Sequence, residues 1–210
     1  MKTDIKRLVI RLLLVTVGLS FAGLGTAFMY KANLGSSPMA TTADGLHVIF
    51  GITYGTGNLL ANVICIIPVI FMARELIGPG TILCVCTLGW HINFWKTILD
   101  LFQWGGDIKV RVLLSLTGIL FMSFGLSFYV VIHMGLGAIE AITEVIKLKF
   151  KTSYRSAKIA EDIIFFSIGV LMGGTFGIGT VLFIMLSGFL MQHFQKIFRS
   201  EQLFLNKYIF

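Results

Sequence analysis

Long apolar runs separated by short polar punctuation organise this chain. Apolar stretches at 8–30, 57–73 and 81–95 are followed, in the same order, by stretches at 112–133, 157–172 and 180–194. Helices that cross a bilayer need about 20 apolar residues, so these runs are predicted to span with help from flanking positions. After the first run of each set comes a shorter, more polar helix, at about 38–50 and about 138–150. In "AIEAITEVIKLKFK", Glu140, Glu144, Lys147 and Lys151 share one helical face, while Ile139, Ile142, Ile146 and Phe150 share another. Such a helix is too short and too charged to cross lipid unaided. It is predicted to lie at the interface or to dip into a cavity lined by protein.

The pattern is doubled. With a constant shift of 100, identities occur at Arg11/Arg111, Leu13/Leu113, Leu14/Leu114, Gly18/Gly118, Phe21/Phe121, Gly25/Gly125, Phe28/Phe128, Gly35/Gly135, Phe50/Phe150 and Tyr54/Tyr154. Asp44 meets Glu144 under the same shift. With a shift of 99, Gly78, Gly80, Thr81 and Gly89 meet Gly177, Gly179, Thr180 and Gly188. Self-similarity at a fixed spacing marks an internal repeat. The expected fold is an all-α membrane protein, a single membrane domain over 1–210 made of two repeats of about 100 residues, 8–99 and 110–198. Each repeat is read as three spanning helices plus one short re-entrant or interfacial helix. Three is odd, so the second repeat is inverted, a recurrent plan in transporters. The alternative is eight crossings in a 4+4 parallel arrangement.

Basic residues test these alternatives. With six crossings and a cytoplasmic N-terminus, 13 of the 17 lysines and arginines fall inside, and with eight crossings 15 do. The rule leans towards eight, but carboxylates and lysines on a short helix facing lipid are expensive, and six is the expected number.

Composition agrees with the membrane reading. Apolar residues make up 56% of the chain and charged residues 13%, against about 45–50% and 25% in soluble domains. The formal charge of +7 sits in clusters between apolar runs, as in "MKTDIKRLVIR" and "KLKFKTSYRSAK", where it anchors helices at the cytoplasmic face and does not indicate nucleic acid. The N-terminal run exceeds the usual 7–15-residue core of a signal peptide and is read as the first membrane helix. Cys65, Cys84 and Cys86 all lie inside apolar runs, and Cys84 and Cys86 face different sides of a helix, so they are read as packing residues.

Candidate chemistry concentrates in "SAKIAEDIIFFSIGVLMGG". Lys158 and Asp162 stand four apart, with Glu161 beside them, at the start of an apolar run; such a pair neutralises itself along one helix face. Their counterparts in the first half are Asn58 and Asn62, so both halves place polar groups at equivalent depths. These four are expected to line a central substrate site, against the plainer reading of an anchor pair at the interface. Glu140 and Asp44, on the short helices, are expected near the two mouths. The Gly-x-Gly-Thr motifs (Gly78, Gly80, Thr81; Gly177, Gly179, Thr180) are read as structural hairpin corners. His47, His91, His133 and His193 lack metal spacing, and neither a His-x-x-x-His set nor a Gly-x-Ser-x-Gly turn is present. No enzyme activity, cofactor or metal is expected.

The segments "NLGSSPMAT", "HMGLGAIEA" and "KIAEDIIFFSIGVLMGGTFGIGT" resemble the YitT/YczE-type family of bacterial membrane proteins. The resemblance covers nearly the whole chain and is strongest from Lys158 to Thr180. It implies a Gly-x-Gly-Pro-like opening with an acidic residue for each short helix, and a basic residue followed four later by an acidic one. Pro38 keeps the proline where Ala138 does not, Glu140 keeps the acid where Ala40 does not, and Lys158 and Asp162 stand where Arg and Glu are expected. The resemblance implies a multi-pass protein of the bacterial inner membrane. The combined expectation is a small-solute or ion transporter with both termini cytoplasmic and a polar site between inverted repeats. The alternative is a non-transporting accessory protein that binds a membrane partner. Expected partners are the lipid bilayer and a small solute or ion, and a 23.2 kDa chain is compatible with a homodimer.

Overall fold

A computed structural model describes residues 2–52 and 54–205. Among the described residues the chain is all helical: α1 (Lys2–Ala32), α2 (Pro38–Phe50), α3 (Tyr54–Met72), a 3-10 turn (Arg74–Leu76), α4 (Pro79–Asp100), α5 (Ile108–Val131), α6 (Ala138–Phe150), α7 (Tyr154–Leu171) and α8 (Ile178–Leu205). Among the described residues four segments are long and apolar enough to cross a membrane: Ile5–Ala32, Pro79–Asp100, Ile108–Val131 and Ile178–Ser200. This is fewer than the six expected. In α3 the apolar segment Leu59–Met72 is shorter, and α7 carries Arg155, Lys158, Glu161 and Asp162 in its first half. On the long helices Ile82 is 67% exposed, Trp90 79%, Leu113 64% and Met185 63%. Large side chains left bare over several helices at once belong against lipid rather than water.

α1 and α5 form the central pair, with α4 beside α1 and α8 beside α5. Glycines let the central pair approach: Gly18 lies against Gly125, and Gly25 against Gly118, so the two helices run antiparallel. Phe21 stacks on Phe121 alongside this seam. Arg111 at the start of α5 donates from Nε to the Ala32 carbonyl at 2.8 Å and from Nη2 to that of Asn33, covering carbonyls at the C-terminal end of α1. Around this pair α2 packs on α7, and α3 on α6.

The Gly-x-Gly-Thr motifs open α4 and α8, with Gly78 and Gly177 just before each helix, and they dock crosswise on the other half of the chain. Gly80 N donates to Met134 O at 2.6 Å and Leu136 N to Leu76 O at 2.8 Å; Gly179 N donates to Leu34 O at 2.7 Å. The threonine of each motif closes its own turn, Thr81 Oγ1 accepting from Gly78 N at 3.1 Å and Thr180 Oγ1 from Gly177 N at 3.4 Å. A Cβ on Gly78 would stand 2.6 Å from Met134 O, and one on Gly177 2.3 Å from Leu34 O. The backbones therefore meet where no side chain fits.

Across from Gly78, Gly135 has φ +100° and a Cβ there would stand 2.4 Å from Gly78 N. Gly135→Ala therefore meets both left-handed backbone strain and a backbone clash, and is expected to cost roughly 2 kcal/mol or more. Gly89→Ala, with nothing within 4 Å of the new Cβ, is expected to cost nothing and to gain at most about 1 kcal/mol of helix stability. Thermal unfolding of both variants in detergent checks this; equal midpoints would show that the crosswise docking is not tight.

Candidate functional site: a charged centre lined by eight helices

The first turns of α7 set the site. Ser153 caps the helix, its Oγ accepting from Ser156 N at 3.1 Å. From there Lys158, Glu161 and Asp162 fall at i, i+3 and i+4 on one face. The opposite face carries Ile163 and Ile164, both about half exposed. α7 is thus amphipathic with these three charges turned inward: Lys158 is 5% exposed, Glu161 1% and Asp162 2%.

Lys158 Nζ donates to Asp162 Oδ1 at 2.6 Å and to Glu161 Oε2 at 3.0 Å, and lies 5.9 Å from the centre of the Phe183 ring. Ser187 Oγ on α8 donates to Asp162 Oδ2 at 3.2 Å. Thr143 Oγ1 on α6 is hydrogen-bonded to Glu161 Oε2. The cluster holds two carboxylates against one ammonium, so a single positive charge faces two acids out of contact with bulk water.

Beside the cluster is a cavity of about 90 Å³ to which all eight helices contribute; its polar lining includes Thr26, Ser37, Asn62, Glu140, Lys158 and Asp162. That is room for a few waters or a small ion. The first turns of α2 and α6 converge on it. Ser37 caps α2, its Oγ accepting from Ala40 N at 3.4 Å, with Pro38 at the first helical position. In α6, Glu140 stands in the first turn, where a carboxylate suits the helix dipole. It folds back over Gly137, where an added Cβ would meet Glu140 Oε2 at 2.3 Å. Ala40 occupies the corresponding place in α2, so the acid comes from the second half alone.

The sequence candidates divide by position. Lys158, Asp162 and Asn62 line the cavity together, and Glu140, expected near a mouth, joins them there at 8% exposure. Its position at the start of α6 is the reason, because the helix starts in the protein interior and runs outwards. The side chain of Asn58 lies outside the described residues. Asp44 lies apart, in a pocket of about 420 Å³ between the end of α1, α2 and the α7–α8 connection; its Oδ2 accepts from Thr175 N at 2.6 Å and from Thr175 Oγ1. A second pocket, about 170 Å³, is lined at the end of α5 by Glu75, His133, Glu144 and Arg199. Since α1 and α5 run antiparallel, these pockets lie at opposite ends of the molecule. Tyr30 and Ala40 line both the larger pocket and the central cavity. Glu144 is half-buried and paired with Lys147.

Sequence reasoning did not place Thr143 or Ser187 in the site. Their hydroxyls meet the carboxylates only through packing of α6 and α8 on α7, and no local pattern marks them. Glu161 did carry a signal, its i+3 spacing from Lys158. Among the described residues no group of three or more His, Cys, Asp or Glu side chains is placed to hold a metal ion.

Fold and centre define a helical protein of membrane type with a buried charged core. The chain belongs to a family of unknown function, DUF6198, whose model matches residues 9–196. That match carries no YitT/YczE assignment. An uncharacterised protein of Haemophilus influenzae is 27% identical over 184 residues, covering 85% of this chain and 80% of that protein. The uncharacterised protein YyaS of Bacillus subtilis is 24% identical over 192 residues, covering 91% of this chain and 94% of YyaS. No solved structure matches the chain.

Proposed function

We propose that this protein is a small secondary transporter of the bacterial inner membrane, moving a small solute or ion through a polar centre between inverted repeats. The observation that carries the reading is the central cavity: one space reached by all eight helices, lined by ionisable groups, with a pocket towards each end of the molecule. Charged residues inside a membrane domain mark pathways by default, because the bilayer makes them costly to keep. The antiparallel α1 and α5, and the reciprocal docking of each Gly-x-Gly-Thr motif on the opposite half, fit an inverted arrangement. In it α3 and α7 complete six crossings, while α2 and α6 start near the cavity and return to opposite faces. Both termini are then cytoplasmic, and the YitT/YczE-like motifs are in keeping with a multi-pass protein of this kind.

Cys84 lines the cavity and provides the test. In a Cys65→Ala/Cys86→Ala background, a small membrane-impermeant thiosulfonate is expected to modify Cys84 in vesicles of either orientation, faster from the side of the larger pocket. Failure from both sides would favour the accessory-protein reading, in which the centre only holds the fold together. Gly105→Cys, with Cys65, Cys84 and Cys86 all replaced by Ala, reports the α4–α5 linker. Maleimide labelling in intact cells supports six crossings, and protection until the cells are permeabilised supports the parallel arrangement of eight.

A further inference from the structure

If Glu161 is ionised, one of its two carboxylate oxygens receives no hydrogen. Thr143 has one hydroxyl hydrogen and two neighbours positioned to accept it, the Ile139 carbonyl at 3.2 Å and Glu161 Oε2. Glu161 Oε2 also accepts from Lys158, while Glu161 Oε1 is buried with no hydrogen-bond partner. An ionised carboxylate with one bare oxygen, 1% exposed, is among the costliest arrangements a protein interior can hold. Asp162 differs: one of its oxygens takes the 2.6 Å contact from Lys158 and the other the hydroxyl of Ser187. The single ammonium is therefore matched by Asp162, and Glu161 is the carboxylate left over.

We propose that Glu161 binds a proton in this conformation, so that the centre takes up a proton as well as a solute. The proton sits on Oε2 and is donated to Thr143 Oγ1, whose own hydrogen goes to the Ile139 carbonyl. Oε1 is then a neutral carbonyl oxygen, cheaper to leave unpaired than a charged one. Lys158 and Asp162, which line the cavity, separate it from Glu161 and offer the path by which the proton arrives and leaves. The other titratable groups around Glu161 are Cys65 from α3, Glu140 from α6 and Tyr154 on its own helix. From α8 the centre receives the neutral Ser187, while Thr42 of α2 donates to the Phe165 carbonyl of α7. This inference rests on the transporter reading for its meaning as a coupling ion, but not for its test.

The test is infrared spectroscopy of the purified protein at pH 7 in H2O and D2O. A carboxylic-acid C=O band that shifts on deuteration is expected in the wild type, absent in Glu161→Gln and retained in Glu140→Gln. Thr143→Val should keep the band and move it to higher frequency, because the acid loses its acceptor. Glutamine mimics a protonated glutamate, so Glu161→Gln is also expected to keep its Tm within about 3 °C of wild type. Asp162→Asn, which breaks an ionised pair, should lose about 6 °C or more. Absence of the band in the wild type, its survival in Glu161→Gln, or a Tm loss in Glu161→Gln as large as in Asp162→Asn would each overturn the proton site. A Glu161-dependent band with Cys84 unreachable from both sides upholds the proton site and removes the transport reading. A reachable Cys84 with no band keeps transport and overturns the proton site.

Discussion

Lys158→Met is expected to destabilise the protein by about 3–5 kcal/mol. Methionine keeps the length of the stem and its packing near Phe183, so the loss isolates the ammonium. Without it Asp162, 2% exposed, keeps only the hydroxyl of Ser187, and Glu161 keeps only Thr143. Breaking a buried pair on one side leaves an uncompensated charge, whereas replacing both partners by apolar groups of similar volume is often neutral. Lys158→Met/Asp162→Leu is therefore expected to recover most of the stability lost in Lys158→Met while abolishing any function of the centre. Thermal unfolding of the two variants in the same detergent reads this directly. A loss below about 1 kcal/mol in Lys158→Met would mean that water reaches the cluster and screens it, as at a surface ion pair.

Gly25→Val should separate the two central helices. A Cβ at Gly25 would stand 2.3 Å from Met122 N and 2.5 Å from Gly118 O, and both neighbours are backbone atoms that no rotamer change can move. α1 and α5 would have to draw apart along a seam that also includes Gly18, Gly125 and the Phe21–Phe121 stack. Overpacking in a tight core costs roughly 1–3 kcal/mol, and a branched side chain against two backbone atoms belongs at or above the top of that range. Gly18→Ala is the graded comparison. Its Cβ would meet its nearest neighbours at 3.0–3.2 Å, so a shift of a few tenths of an ångström accommodates it and a loss of about 1 kcal/mol or less is expected. Stability measured for both variants, with the monodisperse yield on size exclusion, should rank Gly25→Val well below Gly18→Ala. The reverse order would mean that the close approach of α1 and α5 is not what holds the core.

Some features of the site were open to the sequence and others were closed to it. Lys158 and Asp162 could be paired from their spacing, because i and i+4 meet on any helix whatever surrounds it. Whether that face turned to lipid headgroups or to a protein interior depended on what packs on α7. Lys158, Glu161 and Asp162 lower the apolar character of α7, yet these three charges are covered by protein, not by water. Glu140 could be placed at the start of α6, but its depth depended on where that helix begins, and the sequence suggested a mouth instead of the centre.

The sequence by itself determined that the chain is helical and where its apolar runs and polar breaks fall. These are local properties, set by runs of apolar side chains, by caps and by glycine. Only the tertiary structure decided that each Gly-x-Gly-Thr motif docks on the opposite half, that Thr143 and Ser187 serve the two acids of α7, and that eight helices share one cavity. Those partners lie from 18 to about 145 residues apart in the chain. Packing and hydrogen bonds at a few ångströms bring them together, and these forces leave no period or spacing in the sequence.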